Sequence, residues 1–311
     1  MLLSVTLNPS VDISYHLDDF QLDEANRVAQ VKKTAGGKGL NVARVAYLLG
    51  GDVLATGVLG GSLGSFIEDQ LDKDGIKHSF LHTDKESRNC IAILHRDRQT
   101  EILEPGPVLS AAEQEKFLKH YERLLNLSDL VSISGSIVKG FSEDVYPQMI
   151  AMADSRDVPV ILDTSGKALE VTLQNKSARP YLIKPNTSEL EQLLGEKADE
   201  DIEKIMKALN DPLFEGITWI VVTRGGDGAL VKHQNQFYNV TIPVVPVINP
   251  VGSGDATVAG LAKAIEQNAD VHTVIKYGMA AGILNAMEAQ TGFVDAGKFE
   301  QFVNKVKVEE I

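Results

Sequence analysis

Four consecutive residues, Gly252-Ser253-Gly254-Asp255, put exposable backbone amides beside a carboxylate. They follow Asn249-Pro250-Val251, and behind them Val258, Leu261, Ala262 and Ile265 recur at helical spacing. Pro250 biases Asn249 to an extended conformation, and the two glycines allow a tight turn and close backbone approach. The turn therefore opens a helix. Unpaired N–H groups and the helix dipole at that end stabilise an anion. Asp255 lies in the same first turn, where it could equally complement the dipole while the glycines serve only as a turn.

A second glycine-rich segment, Ala35-Gly36-Gly37-Lys38-Gly39-Leu40-Asn41, also stands where an extended stretch meets a helix. It offers backbone amides, a cation and a side-chain amide together. The spacing of a Walker A loop is absent, and no G-x-G-x-x-G follows a strand, which argues against a nicotinamide dehydrogenase. Lys184-Pro185-Asn186-Thr187-Ser188-Glu189 leaves a strand. Its Asn186 and Glu189 could hold water around Mg²⁺, or they could be an N-cap and its capping-box partner. Thr223-Arg224-Gly225-Gly226-Asp227-Gly228 is either a phosphate or ribose loop or a hairpin-like turn. The seven histidines show no metal-ligand spacing, Ser134-Gly135-Ser136 is no nucleophile elbow, and Cys90 reads as a small packed residue.

The elements that must position these groups are legible as alternating runs. Leu2–Leu7, Val53–Val58, Leu130–Ile133, Val158–Leu162, Tyr181–Ile183 and Ile217–Val222 are nearly continuous in apolar residues, as buried parallel strands should be. Helix patterns lie between several of them. Val42, Val45, Ala46 and Leu49 share one face, and Gly50-Gly51 stops the run. Ala229–Val231 and Phe237-Tyr238 read as a hairpin. This alternation predicts an α/β fold with a doubly wound, mostly parallel sheet. Three segments do not fit it: the period-2 strand 11–17, a short candidate over about 27–34, and a hairpin over 89–104 turning at Arg96–Gln99. They predict a small β-sheet inserted as a lid into a single domain spanning 1–311.

At 311 residues the chain can bury a large core without staples. Thirty Lys and Arg against 43 Asp and Glu give a net charge of −13, which argues against nucleic acid or an anionic membrane as partner. The single cysteine excludes an intramolecular disulfide and a Cys-rich zinc site, and points to a reducing, cytoplasmic compartment. The N-terminus lacks signal-peptide character, and no apolar run reaches the length of a membrane span.

The glycine motif with Asn41 and the later Asn249-Pro-Val-Gly-Ser-Gly-Asp255 together resemble the two signatures of the ribokinase-like (PfkB) sugar kinases. Asn8-Pro9-x-x-Asp12, Lys184-Pro-Asn186-x-x-Glu189 and Thr223-x-Gly225-x-x-Gly228 fall in family order, so the resemblance spans nearly the whole chain. Thr6–Tyr15, Thr34–Val42, Arg88–His95, Gln99–Glu104 and Leu284–Met287 are similar to the phosphosugar branch. Within it they most resemble kinases of tagatose 6-phosphate, and next those of fructose 1-phosphate.

The resemblance implies ATP-dependent phosphorylation of tagatose 6-phosphate to the 1,6-bisphosphate, with fructose 1-phosphate as the alternative substrate. Asp255 would be the base, and the amides of Gly252, Ser253 and Gly254 an anion hole. Asp12, Asn41, Gly36 and Gly37 would hold the sugar. Arg88, Lys38 and Arg27 would meet its phosphate, Arg27 across a subunit boundary, with Ser136 as a further donor. Lys184 would meet nucleotide phosphates, and Asn186 with Glu189 would organise Mg²⁺ through water. Thr223, Gly225 and Gly228 would line the nucleotide site, with Asn285 near the base. The lid strands would join two subunits as a homodimer.

Three positions depart from the branch's pattern. Ala256 stands where Ser is expected, Ser136-Ile137-Val138 lacks a Leu-Pro pair, and Thr223-Arg224 replaces Ser-Leu. None removes a proposed catalytic group. A catalytically silent sugar- or nucleotide-binding regulator on the same scaffold would have no need of Asp255.

Overall fold

The computed structural model describes residues 1–96, 98–195 and 201–311. In chain order the elements are β1 (Leu2–Thr6), β2 (Ser10–Leu17), β3 (Gln30–Gly36), α1 (Lys38–Leu48), β4 (Val53–Gly60), α2 (Gly61–Asp74), β5 (Lys77–His78), β6 (Leu81–Thr83), β7 (Arg88–His95) and β8 (Arg98–Leu103). Then follow α3 (Ala111–Leu125), β9 (Leu130–Ser134), α4 (Val145–Asp154), β10 (Val160–Asp163), α5 (Gly166–Gln174), β11 (Leu182–Ile183), α6 (Thr187–Leu194) and α7 (Ile202–Ala208). The chain ends with β12 (Trp219–Thr223), β13 (Ala229–His233), β14 (Gln236–Thr241), α8 (Ser253–Glu266), α9 (Val271–Ala286), α10 (Phe299–Val303) and β15 (Lys307–Glu310).

The main sheet runs β15-β14-β13-β12-β11-β10-β9-β1-β4-β5, with β6 also on β4. From β12 through β5 every pairing is parallel, and the β12-β13-β14-β15 edge is antiparallel. Strand residues alternate between two cores. Leu130, Ile161, Leu182 and Val221 face a cluster with α1, α8 and α9, while Val131, Leu162, Ile183 and Val222 face one with α3 and α4. Both faces are covered, which is why these strands read as unbroken apolar runs. The chain winds to one side of β1 through β4 and to the other through β9. In such sheets the ligand crevice lies beyond the carboxyl ends of the strands at that reversal.

The inserted strands form a separate four-stranded sheet, β3-β2-β7-β8. The mostly parallel α/β architecture with a small second sheet is thus as expected. Some boundaries move. The second lid strand starts at Gln30 rather than 27 and runs on to Gly36, because Gly36 still pairs with Ser10. The expected four-residue turn is shorter, since β8 already begins at Arg98; Asp97 lies outside the described residues. The short β5 and β6 and the charged edge strand β15 had no sequence signal, because Lys307-Val-Glu-Glu310 carries a single apolar residue. Among the described residues no helix is long and apolar enough to cross a membrane.

Candidate active site

A cavity of about 930 Å³ lies between the carboxyl ends of the main strands and the underside of the small sheet. Gly252 adopts φ +84°, a left-handed conformation that suits glycine, and caps α8. The helix then starts with Ser253, Gly254 and Asp255 on the cavity wall. First-turn amides have no partner inside the helix. Of the three amides expected in an anion hole, that of Ser253 donates to the Pro250 carbonyl at 3.2 Å. A methyl group on Gly254 would meet the Lys184 ammonium at 3.0 Å, so the absent side chain is what lets that cation reach the turn.

Asp255 is 6% exposed. Burial and the nearby carboxylate of Asp163 push its pKa up to about 7, against the pull of the Asn41 amide, Lys38 and Lys184. The Asn41 Nδ2 donates to Asp255 Oδ2 at 2.8 Å. Asp163, the last residue of β10, is 1% exposed. It forms ion pairs with Lys184 at 3.4 Å and Lys38 at 3.8 Å. Asp163 foremost, and then Asp255 and Glu189, raise the Lys38 pKa. Lys38 therefore stands beside the helix turn. The sequence reading placed it with the distal sugar phosphate and passed over Asp163, ending its strand at Leu162. A carboxylate ending an apolar parallel strand at the ligand edge was the available signal.

Asp12 and Arg88 line the cavity from β2 and β7 of the small sheet. Asp12 accepts from the Ser10 hydroxyl at 2.6 Å, and burial raises its pKa. Gly36 leaves room for it: a side chain there would collide with the Asp12 carboxyl at 2.0 Å. Arg88 donates from Nε to the Asn8 carbonyl at 3.1 Å and from Nη1 to the Glu104 carbonyl at 3.0 Å. Gly37, Asn41 and Cys90 complete this wall.

Thr223, Gly225 and Gly228 line the cavity beyond β12, with Ile242, Val244, Val245 and Val247. The valine-rich wall was not anticipated, since Ile242–Ile248 shows neither strand nor helix period. Asn186 and Glu189 face the cavity and form the full capping box: Asn186 Oδ1 accepts from Glu189 N at 2.8 Å, and Glu189 Oε2 from Asn186 N at 2.9 Å. Among the described residues no hydrogen bond reaches Glu189 Oε1.

Four expected positions lie off the cavity wall: Gly36 is buried against the Asp12 carboxyl, and Asn285, Arg27 and Ser136 lie elsewhere. Asn285 was placed beside a nucleotide base, yet it is fully buried. Its Nδ2 donates to the Val251 carbonyl at 2.9 Å and its Oδ1 accepts from Gly292 N at 2.8 Å, so its polar groups are spent bracing the α8 turn. Arg27 and Ser136 are exposed and stand off the cavity wall of this chain.

A buried carboxylate, a glycine helix turn with a lysine against it, and an arginine thus share one cavity, an arrangement suited to phosphoryl transfer. A profile of the pfkB family of carbohydrate kinases matches residues 5–295. The chain belongs to that family. Among solved structures it is similar to a provisionally named phosphofructokinase from Staphylococcus aureus, 28% identical over 100% of this chain and 99% of that one, with a TM-score of 0.84. A provisionally named 1-phosphofructokinase from Thermotoga maritima is 26% identical over 100% and 99%, with a TM-score of 0.89. Phosphofructokinase-2 from Escherichia coli, at 24% identity over 97% and 98% and a TM-score of 0.90, shares the fold.

Proposed function

We propose that this chain is an ATP-dependent kinase of phosphorylated ketohexoses, converting tagatose 6-phosphate to tagatose 1,6-bisphosphate. One observation carries the reading: Asp255 is buried in the first turn of α8, where the Lys184 ammonium meets the neighbouring Gly254, in a cavity that Arg88 also lines. Asp255 takes the proton from the attacking sugar hydroxyl. The hydroxyl oxygen bonds to the γ-phosphorus as the bond to the bridging β–γ oxygen breaks, and ADP departs. First-turn amides and Lys184 meet the charge spread over the γ-phosphoryl oxygens. A carboxylate held near neutrality suits a base that works near pH 7.

Asp12 and Asn41 hold sugar hydroxyls, and Arg88 meets the distal phosphate. Thr223, Gly225, Gly228 and the wall of Ile242, Val244 and Val247 take the nucleotide. Lysines 38 and 184 and Arg88 face five carboxylates on the cavity wall: Asp12, Glu101, Asp163, Glu189 and Asp255. That acidic excess fits a site in which ATP binds together with a divalent cation. Mg²⁺, when bound, would neutralise phosphate charge, and Asn186 and Glu189 Oε1 would hold its waters.

Fructose 1-phosphate is a second reading, favoured by the 1-phosphofructokinase name of the similar structure at 26% identity. A coupled ATP-consumption assay over free and phosphorylated ketohexoses separates them. Turnover highest with tagatose 6-phosphate is expected. Turnover highest with fructose 1-phosphate would transfer the assignment, and none with any sugar would leave a silent binder.

A further inference from the structure

The guanidinium of Arg44 lies beneath the site, 4% exposed on the inner face of α1, and touches no part of the cavity. Its Nη1 donates to Asn41 Oδ1 at 3.1 Å, its Nη2 donates to the Ala35 carbonyl, and its Nε meets Asp74 Oδ2 at 3.4 Å. Asn41 can lie either way round, because its amide oxygen and nitrogen are nearly the same size. Only one orientation donates to Asp255; the other would turn an oxygen onto a carboxylate. A guanidinium carries donors and no acceptor, so Arg44 donates to the amide oxygen and cannot pair with the NH₂. We infer that Arg44 is a positioning residue for the base: it locks the Asn41 amide with its NH₂ on Asp255.

Two further contacts fix the same geometry. Gly292 closes over the pair, and a methyl group there would meet Asn41 Oδ1 at 2.7 Å and Arg44 Nη1 at 2.9 Å. The Ala35 carbonyl that Arg44 holds immediately precedes Gly36, against which the Asp12 carboxyl lies. One buried guanidinium thus sets both the amide on the base and the strand end behind the sugar-facing carboxylate. Arg44 itself is faced by Asp74 from α2 and Asp12 from β2, which offset the burial that lowers its pKa. Asp255 is faced by Asp163 from β10, Lys184 beyond β11, and Lys38 and Asn41 from α1.

This inference rests on Asp255 acting as base, and its test separates the two. Arg44→Lys keeps the charge but loses the planar fork, so the single ammonium cannot hold both Asn41 and Ala35. With the amide free to turn, the Asp255 carboxylate loses a donor, and the acid limb of kcat/KM against pH should move up by about one unit. At pH 7 that shift should lower kcat by about fivefold, with the KM for ATP little changed. A purely structural Arg44 would lower thermal stability and leave the limb where it is, and that result would overturn the inference. Asp255→Asn serves as control. If that variant turns over normally, the base assignment fails; if it is inactive and the Arg44→Lys limb is unmoved, only the positioning role fails. Should Arg44→Lys not fold, the wild-type protein decides. The Asn41 side-chain amide resonances, assigned by loss in Asn41→Leu, should titrate with a midpoint near that of Asp255, and amide resonances indifferent to pH between 5 and 9 would contradict the lock.

Discussion

Arg88 shows how one side chain can serve both fold and ligand. Its guanidinium bridges the Asn8 carbonyl beyond β1 and the Glu104 carbonyl beyond β8, and so ties the small sheet to the main one while facing the cavity. Glu86, the nearest acidic neighbour in sequence, is engaged with Ser62 and the Leu63 amide instead. An ion pair at the strand start therefore does not explain Arg88. A charge-assisted hydrogen bond to phosphate contributes about 1.5–3 kcal/mol, or roughly ten- to a hundredfold in affinity. Arg88→Ala should weaken use of tagatose 6-phosphate by about that factor, mainly in KM, with ATP affinity little changed. Loss of the sheet tie alone would cost phosphorylated and free tagatose equally. Steady-state kinetics with both sugars decides: an unchanged ratio of kcat/KM between them would remove Arg88 from phosphate recognition.

At the scale of elements, the edge strands of the small sheet are poorly covered by their own chain. Every residue of β8 is exposed, and Val31, Ile102 and Leu103 stand at 50%, 52% and 61% exposure. An open strand edge carrying apolar residues invites pairing with another chain. A homodimer joined through this sheet would cover them and would bring the exposed Arg27 segment of one subunit towards the cavity of the other. Light scattering at concentrations where the enzyme turns over should give twice the chain mass. A monomer mass would count against the arrangement. The same elements show what a sequence can reveal. Strands buried on both faces announce themselves as apolar runs, and the period-2 pattern of Val11, Ile13 and Tyr15 separated the second sheet from the first. Strand β15 was hidden, because an edge strand bears charge and takes its identity from the neighbour it pairs with.

Across the whole molecule, a net charge of −13 coexists with cations gathered on one cavity wall: Lys38 and Lys184 stand where a helix begins and a strand ends, and Arg88 faces them from the start of β7. The glycine turns and Asp255 could be read in the sequence, since a turn, a cap and an apolar helix period are local. What could not be read was contact between distant segments. Asp163 meets Lys38 and Lys184 only because β10 lies beside β9 and β11. Asn285 looked free to meet a ligand until folding set it on Val251 and Gly292. Asp255, held up to about pKa 7 by burial and Asp163, is the group we propose to remove the proton of the attacking hydroxyl. The direct test is steady-state turnover and calorimetric ATP binding of Asp255→Asn beside wild type at pH 8. There the wild-type base is ionised, and loss of a positioned base costs about 10²–10⁴ in rate. A fall in kcat of that size with ATP affinity within a few fold is expected. Near-wild-type turnover in the folded variant would contradict it.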